Sequence, residues 1–265
     1  MLKRIKNRLR NIKFIYLNYV KLQNLKFSII SYIQYRNSYS VNSLKKYKDS
    51  HKGERCFIIG NGPSLKVQDL ERIKNEYTMG SNRIFTIYNE TDFRPTYYFA
   101  QDQLVIRSNI DEIKALDGIK FIRSIGAKRY SDSTFIQFYI DDYNYLSKKS
   151  PKFANDISKC TYEGYTVTYS MIQFAVFMGF KEIYLLGVDT NYSISNGAID
   201  ANSYFNKKMF DKNKIGELPD IVYNLMAYKV AKQYAESHGI KIYNATYGGM
   251  LEVFKRVNFD SLFEW

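Results

Sequence analysis

The chain has 265 residues, 45% hydrophobic and 17% aromatic, enough for one large α/β domain with appendages. Its formal net charge of +13 is uneven: residues 1–55 hold 14 Lys and Arg against Asp49 and Glu54, while the other 210 residues hold 25 basic and 24 acidic side chains. Two cysteines, Cys56 and Cys160, and two histidines, His51 and His238, show no metal-ligand spacing, which argues against a zinc site or a disulfide framework and fits a reduced cytosolic chain.

At the N-terminus Leu2, Ile5, Leu9, Ile12 and Tyr16 recur at spacings of three and four, with Lys3, Arg4, Lys6, Arg8, Arg10 and Lys13 between them. That pattern is an amphipathic basic helix. A second apolar segment runs from Phe27 to Ile33. Neither reaches the ~18–20 residues needed to cross a bilayer. Lys13 and Lys21 interrupt any signal-peptide core. Residues 1–50 therefore suit peripheral attachment to an anionic membrane surface, on the inner face of the cytoplasmic membrane. The alternative is a helix packed on the body or on a second copy of the chain in a homo-oligomer. The body is nearly neutral and the arm has no recognised motif, so nucleic acid is not an expected partner. The expected organisation is a basic arm over 1–52 and a Rossmann-like nucleotide-binding body over 53–265.

The body opens on Cys56-Phe57-Ile58-Ile59, an unbroken apolar run that reads as a strand buried on both faces. Gly60, Asn61, Gly62, Pro63 and Ser64 follow. The glycines permit a tight turn and close approach of a ligand, Pro63 fixes φ, and Ser64 suits the N-cap of a helix whose free N–H groups would attract phosphate. The bland alternative is an ordinary strand-to-helix turn. Val67, Leu70 and Ile73 mark that helix. Strands are expected over 77–83, 96–102 and 119–122, a helix over 105–116, and a half-exposed strand over 134–140. Residues 141–164 read as loop with short helical pieces. Thr166 to Gly179 is a broadly apolar helix, and Lys181 to Asp189 a buried strand ending in Gly-Val-Asp. Residues 190–217 lack periodicity and are long enough to be a lid. A helix over 219–237, a strand at 241–244 and an apolar tail complete the chain.

Alternating strands and helices imply a parallel sheet with helices on both faces, which binds ligands beyond the carboxyl ends of its strands. Asn61, Ser64, Asn82, Arg83, Asp102, Asp189 and Asn244 sit at those ends. Asp141 and Asp142 are adjacent, point apart on a strand and read as surface.

Two segments carry a resemblance. Ile58 to Leu65 and Gly179 to Asp189 are similar to the hallmark segments of bacterial CMP-sialic-acid-dependent sialyltransferases that decorate lipooligosaccharide. They are equally similar to a broader superfamily that includes archaeal 6-hydroxymethylpterin diphosphokinase and motility-associated flagellin glycosyltransferases. The C-terminal stretch from Gly239 to Phe254 resembles the broader group more closely. In the sialyltransferases the turn and the Asn after the second strand contact the nucleotide, roles that fall here to Asn61, Gly62, Ser64 and Asn82. Their phosphate-binding tyrosine corresponds most nearly to Tyr192. The histidine base that they carry before the penultimate helix has no counterpart in Gly216-Glu217-Leu218-Pro219-Asp220, so either Asp189, Glu217 or Asp220 takes that role or the reaction differs.

A glycosyltransferase needs a held nucleotide, neutralisation of a leaving phosphate and a base for the acceptor hydroxyl. Asn61 with Ser64, Arg83 with Tyr192, and Asp102 or Asp189 are the candidates. A diphosphokinase needs ATP and Mg²⁺, for which Asp102 and Asp189 are the candidate carboxylates; no GxxxxGK[ST] loop is present. A non-catalytic nucleotide-binding protein is the third reading. The basic arm favours the first, a transferase with a nucleotide-sugar donor, CMP-linked by the resemblance, acting on a glycan or lipid-linked acceptor in cell-surface polysaccharide or lipooligosaccharide assembly.

Overall fold

The computed structural model describes residues 29–30, 32–33, 35–124, 134–195, 198–209 and 220–263. After α1 (Tyr39–Lys45) the chain alternates: β1 (Arg55–Ile59), α2 (Val67–Arg72), β2 (Tyr77–Ser81), β3 (Tyr97–Ala100), α3 (Gln103–Ser108), α4 (Ile110–Ala115), β4 (Ile119–Arg123) and β5 (Ile136–Phe138). The short β6 (Ile140–Asp141), α5 (Tyr143–Leu146) and β7 (Thr161–Tyr162) lead to α6 (Val167–Phe177) and β8 (Glu182–Leu186). A hairpin of β9 (Ile194–Ser195) and β10 (Ala198–Ile199) precedes α7 (Ile221–Ser237), β11 (Lys241–Asn244) and β12 (Lys255–Arg256).

Eight strands form one sheet in the order β12-β11-β8-β1-β2-β3-β4-β5, and every pairing in it is parallel. This is the Rossmann-like α/β fold that the alternation predicts. Successive residues of β1 feed opposite faces. Cys56 and Ile58 join Phe99, Phe121 and Phe174 on the side of α6 and α7, while Phe57 and Ile59 join Leu70, Ile84 and Ile106 on the side of α2 and α3. α6 is buried almost all round, as its uniformly apolar sequence implies.

Four expectations change. Residues 35–52, counted with the basic arm in the sequence, pack on the sheet. Tyr35 is buried and donates its hydroxyl to the Ser158 carbonyl at 3.1 Å, α1 packs on β5, and Ser40 Oγ accepts the Gln137 N–H at 2.9 Å. His51 stacks on Phe180 and lies 2.6 Å from the Tyr97 hydroxyl. A boundary at 52 is thus not a packing boundary; the Leu2 to Tyr16 stripe lies outside the described residues. The stretch 134–140 is not one half-exposed strand: β5 joins the main sheet under α1, and β6 pairs with β7. The helix over 105–116 breaks at Asn109, whose amide donates to the Val105 carbonyl at 2.7 Å and ends α3. The strand over 77–83 stops at Ser81, and a 3₁₀ turn follows.

Gln173 ties the irregular segment before α6 to the core. Fully buried, it accepts from the N–H groups of Ala154 (3.2 Å) and Tyr162 (3.0 Å) and donates to the carbonyls of Tyr162 (3.0 Å) and Tyr169 (3.3 Å). Gln173→Leu keeps much of the volume but orphans buried backbone groups, each costing about 1–3 kcal/mol. Urea unfolding should show a loss of at least about 2 kcal/mol; a change under about 0.5 kcal/mol would mean that this segment is held by other contacts.

Candidate functional site

The two segments that dominate the sequence lock onto each other at the switch point of the sheet, between β1 and β8. The Gly60 N–H donates to the Leu186 carbonyl at 2.8 Å and the Gly62 N–H to the Gly187 carbonyl at 2.9 Å. A Cβ on Gly60 would stand 2.2 Å from the Gly187 carbonyl oxygen, and one on Gly62 1.9 Å from Asp189 Oδ2. These glycines admit protein, not ligand. Ser64 donates its hydroxyl to Asp189 Oδ2 at 2.8 Å, so it is not the expected N-cap: α2 begins only at Val67, after Lys66, without a side-chain cap. Asp189 is 6% exposed. Burial pushes its carboxyl pKa up, against the lowering effect of the Ser64 hydroxyl, backbone N–H groups and Arg256. Gly60, Gly62, Ser64 and Asp189, all candidate site residues in the sequence, form this lock; neither they nor the exposed Pro63 line the cavity beside it. Asn244 is likewise spent internally, donating to the Leu251 carbonyl and accepting from the Thr246 N–H.

That cavity, about 640 Å³, lies over the carboxyl ends of β1 to β4. Asn61, Asn82, Arg83, Asp102 and Tyr192 all line it, so the structure does bring these five predicted residues together. At its β1–β2 end, Asn82 adopts φ +53°, a left-handed conformation that Asn tolerates, and its carbonyl accepts from the Tyr98 hydroxyl at 2.6 Å. Asn61 donates its amide to the Ser81 carbonyl at 3.2 Å, and Arg83 Nη1 donates to the Met209 carbonyl at 3.0 Å. Asn61 Oδ1, Asn82 Oδ1 and Arg83 Nε are buried without a hydrogen-bond partner.

The segment expected to be a lid supplies a wall. Tyr192, Ile199, Tyr204 and Met209 line the cavity, and the Phe205 N–H donates to the Asn61 carbonyl at 3.1 Å. Burial pushes the Tyr192 phenol up. Ser193 and Asp200 close the hairpin base with a 2.7 Å hydrogen bond. Residues 210–217, including Glu217, lie outside the described residues.

The two remaining predicted acids are helix caps. Asp102 is exposed and accepts from the N–H groups of Leu104 (2.7 Å) and Val105 (3.2 Å) at the start of α3, while still lining the cavity. Asp220 accepts from the Tyr223 N–H at 2.9 Å at the start of α7 and does not line it. Among the described residues no group of three or more His, Cys, Asp or Glu is placed to hold a metal ion.

The far end of the cavity holds groups that sequence reasoning missed. Glu163, 7% exposed, accepts from Gln101 Nε2 (2.9 Å) and the Tyr165 N–H (2.6 Å). Ser170 in α6 donates to Gln101 Oε1 at 2.7 Å. Arg123 bridges Glu163 Oε2 (3.5 Å) and Asp142 Oδ2 (3.1 Å), so Asp142, read as surface, belongs to the cavity wall. Burial pushes the Glu163 carboxyl up, and Arg123 opposes it. The available signal was an acid three residues before Thr166, whose hydroxyl caps an apolar helix.

A comparison with curated proteins found no match. Among solved structures, the MAf glycosyltransferase from Magnetospirillum magneticum AMB-1 is similar at 12% identity and a TM-score of 0.49, over 88% of this chain; the chain spans only 39% of that protein's length. The sialyltransferase CstII from Campylobacter jejuni, in complex with cytidine-5'-monophosphate, is similar at 17% identity and a TM-score of 0.45, over 78% of this chain and 85% of its own. A mammalian sialyltransferase bound to Gal-beta-1-3GalNAc-ortho-nitrophenol follows at 11% identity and a TM-score of 0.38, over 85% and 86%. The model of the 6-hydroxymethylpterin diphosphokinase MptE-like family matches residues 29–195, more than half of the sequence and every strand that floors the cavity, and the chain belongs to that family.

Proposed function

We propose that the chain is a transferase that holds a nucleotide-linked donor in the cavity and passes the donated group to an acceptor hydroxyl. The favoured donor is a nucleotide-activated sugar and the favoured acceptor a cell-surface or lipid-linked glycan. One observation carries this reading: Asn61 Oδ1, Asn82 Oδ1 and Arg83 Nε are buried and unpaired at one end of the cavity. An unpaired buried polar group costs about 1–3 kcal/mol, which a complementary ligand removes. Two amide oxygens suit the N–H groups of a base, and a guanidinium N–H suits phosphate oxygens. Arg83, with Tyr192 also in the lining, would stabilise charge on a departing phosphate. A CMP-linked donor is favoured by the likeness of the segments around β1 and β8 to CMP-sialic-acid-dependent enzymes. The family's own description supports a second reading, an ATP-dependent diphosphokinase; Mg²⁺ would then be carried chiefly by the nucleotide's phosphates.

A nucleotide panel separates the two readings. CMP, UDP, GDP and ATP, each with and without Mg²⁺, should be compared by thermal shift, since saturating ligand at 100 times Kd stabilises by about 2.7 kcal/mol. Stabilisation by CMP without metal is expected. Stabilisation by ATP and Mg²⁺ alone would favour the diphosphokinase, and no stabilisation by any of the four would remove both.

Asn61 and Asp189 should separate binding from folding. Asn61→Ala should weaken the bound nucleotide by about tenfold, the scale of one lost hydrogen bond to a polar ligand, with little change in the free protein's Tm. Asp189→Ala strips Ser64 of its partner and should cost about 1–3 kcal/mol of stability, while the folded fraction keeps its nucleotide affinity. The reverse pattern, a stable Asp189→Ala that no longer binds, would return Asp189 to the site.

The membrane reading of the arm remains part of the proposal. It is supported by the basic amphipathic pattern of residues 1–28 and by the exposure of Ile29, Ile30, Tyr32 and Ile33 next to it. No helix among the described residues is long and apolar enough to cross a membrane. Because Tyr35 and Leu44 belong to the core, a test truncation must stop at residue 28. The truncated protein should stay folded and lose sedimentation with phosphatidylserine vesicles, which the full chain should show and which should weaken as salt rises past the ~10 Å screening length at 0.1 M. A full-length protein that ignores such vesicles at low salt would end the membrane reading.

A further inference from the structure

We propose that Glu163 is the proton acceptor of the transfer and that Gln101, Arg123, Glu163 and Tyr165 form the acceptor's end of the cavity; this rests on the transferase reading above. Three acids line the cavity among the described residues. Asp102 is exposed and holds the start of α3. Asp142 is tied to Arg123 Nη2 at 3.1 Å. Glu163 differs from both. Its Oε1 is fixed by the Gln101 amide and the Tyr165 N–H, and Gln101 is itself fixed by Ser170. Its Oε2 faces Arg123 Nη1 only at 3.5 Å, longer than a tight charge-assisted hydrogen bond of about 2.7–2.9 Å. One oxygen is anchored for direction and the other is loosely held, which is what a general base requires.

The surrounding groups favour basicity. Burial raises the Glu163 pKa first; Arg123 from β4 and the N–H groups of Tyr165 and Gly164 lower it, and Asp142 raises it. Tyr223 of α7 faces it as well. A carboxylate whose pKa is raised takes a proton more readily. Beside it, the rings of Tyr145 and Tyr165 stand 4.8 Å apart in the cavity wall, an aromatic flank suited to the apolar face of a sugar.

In the step, Glu163 takes the proton of the acceptor hydroxyl and the acceptor oxygen bonds to the anomeric carbon of the donor sugar. The bond from that carbon to the phosphate oxygen breaks, and its electron pair leaves with the nucleotide, where Arg83 meets the charge. No further reactant is needed.

Wild type, Glu163→Gln and Glu163→Asp should be compared in release of CMP from CMP-N-acetylneuraminate with lactose as acceptor, and in CMP affinity by calorimetry. Glu163→Gln keeps the contact with Gln101 and removes the base, so kcat should fall ~10²-fold or more, with CMP affinity within about twofold and the acidic limb of the pH–rate profile lost. Glu163→Asp keeps the charge beside Arg123 and should fold as wild type, yet still lose about tenfold or more in kcat because the carboxylate is withdrawn. A Glu163→Asp enzyme at wild-type rate, or a Glu163→Gln variant whose turnover falls only in proportion to its folded fraction, would make Glu163 a structural counter-ion and overturn the proposal. A wild type that fails to bind any of the four nucleotides would instead overturn the transferase reading beneath it.

Discussion

The architecture of the site depends on one close backbone contact, that between Gly60 and Gly187. Parallel sheets open a crevice where the strand order reverses, here between β1 and β8, and ligands commonly enter there. In this chain the crevice is closed by the protein itself. Two glycines without Cβ atoms let the strand ends meet, and Asp189 with Ser64 fills the space beyond. The ligand-sized space is therefore displaced along the sheet, over β1 to β4, where α6 and the hairpin loop complete its walls.

Displacement explains the chemistry of the walls. Beyond β2 and β3 the sheet is flanked by short, interrupted helices, and the irregular segment between β5 and α6 can swing acids over its edge. Gln173 holds that segment by its backbone, and Gln101 and Ser170 hold its Glu163 by the side chain. Burying Glu163 beside Arg123 is costly unless both are well bonded. Sharing Arg123 with Asp142 and giving Glu163 two N–H donors supplies those bonds and leaves a polar end facing the unpaired Asn61, Asn82 and Arg83 atoms.

Much of the frame was legible in the sequence. The apolar runs at 56–59 and 183–186 could only be buried strands, and their alternation with helical stretches gave the parallel sheet. Asn61, Asn82, Arg83 and Asp102 were legible because polar residues ending buried strands point to a ligand edge, whereas Tyr192 came only from the family resemblance. The glycines misled in an instructive way. A missing Cβ announces that something comes close, but not whether it is a phosphate or another strand, and only the partner segment decides. Ser64 and Asp189 looked like independent site residues because their 125-residue separation hides their hydrogen bond. Glu163 and Asp142 were illegible for the opposite reason: both fall in the aperiodic stretch 141–164, and only the fold brings them over the same strands as Arg123, which ends the strand read over 119–122 and was passed over.

Asn61 has a further consequence through its own peptide. Its side chain belongs to the end of the cavity with unpaired atoms, while its carbonyl receives the Phe205 N–H from the loop that walls the cavity. One residue is thus shared between the pocket floor and the loop. If Asn61 holds a ligand as proposed, any coupling that this residue carries between ligand and loop acts equally in both directions: a ligand that steadies Asn61 steadies the Phe205 contact, and loss of that contact weakens the ligand by the same coupling energy.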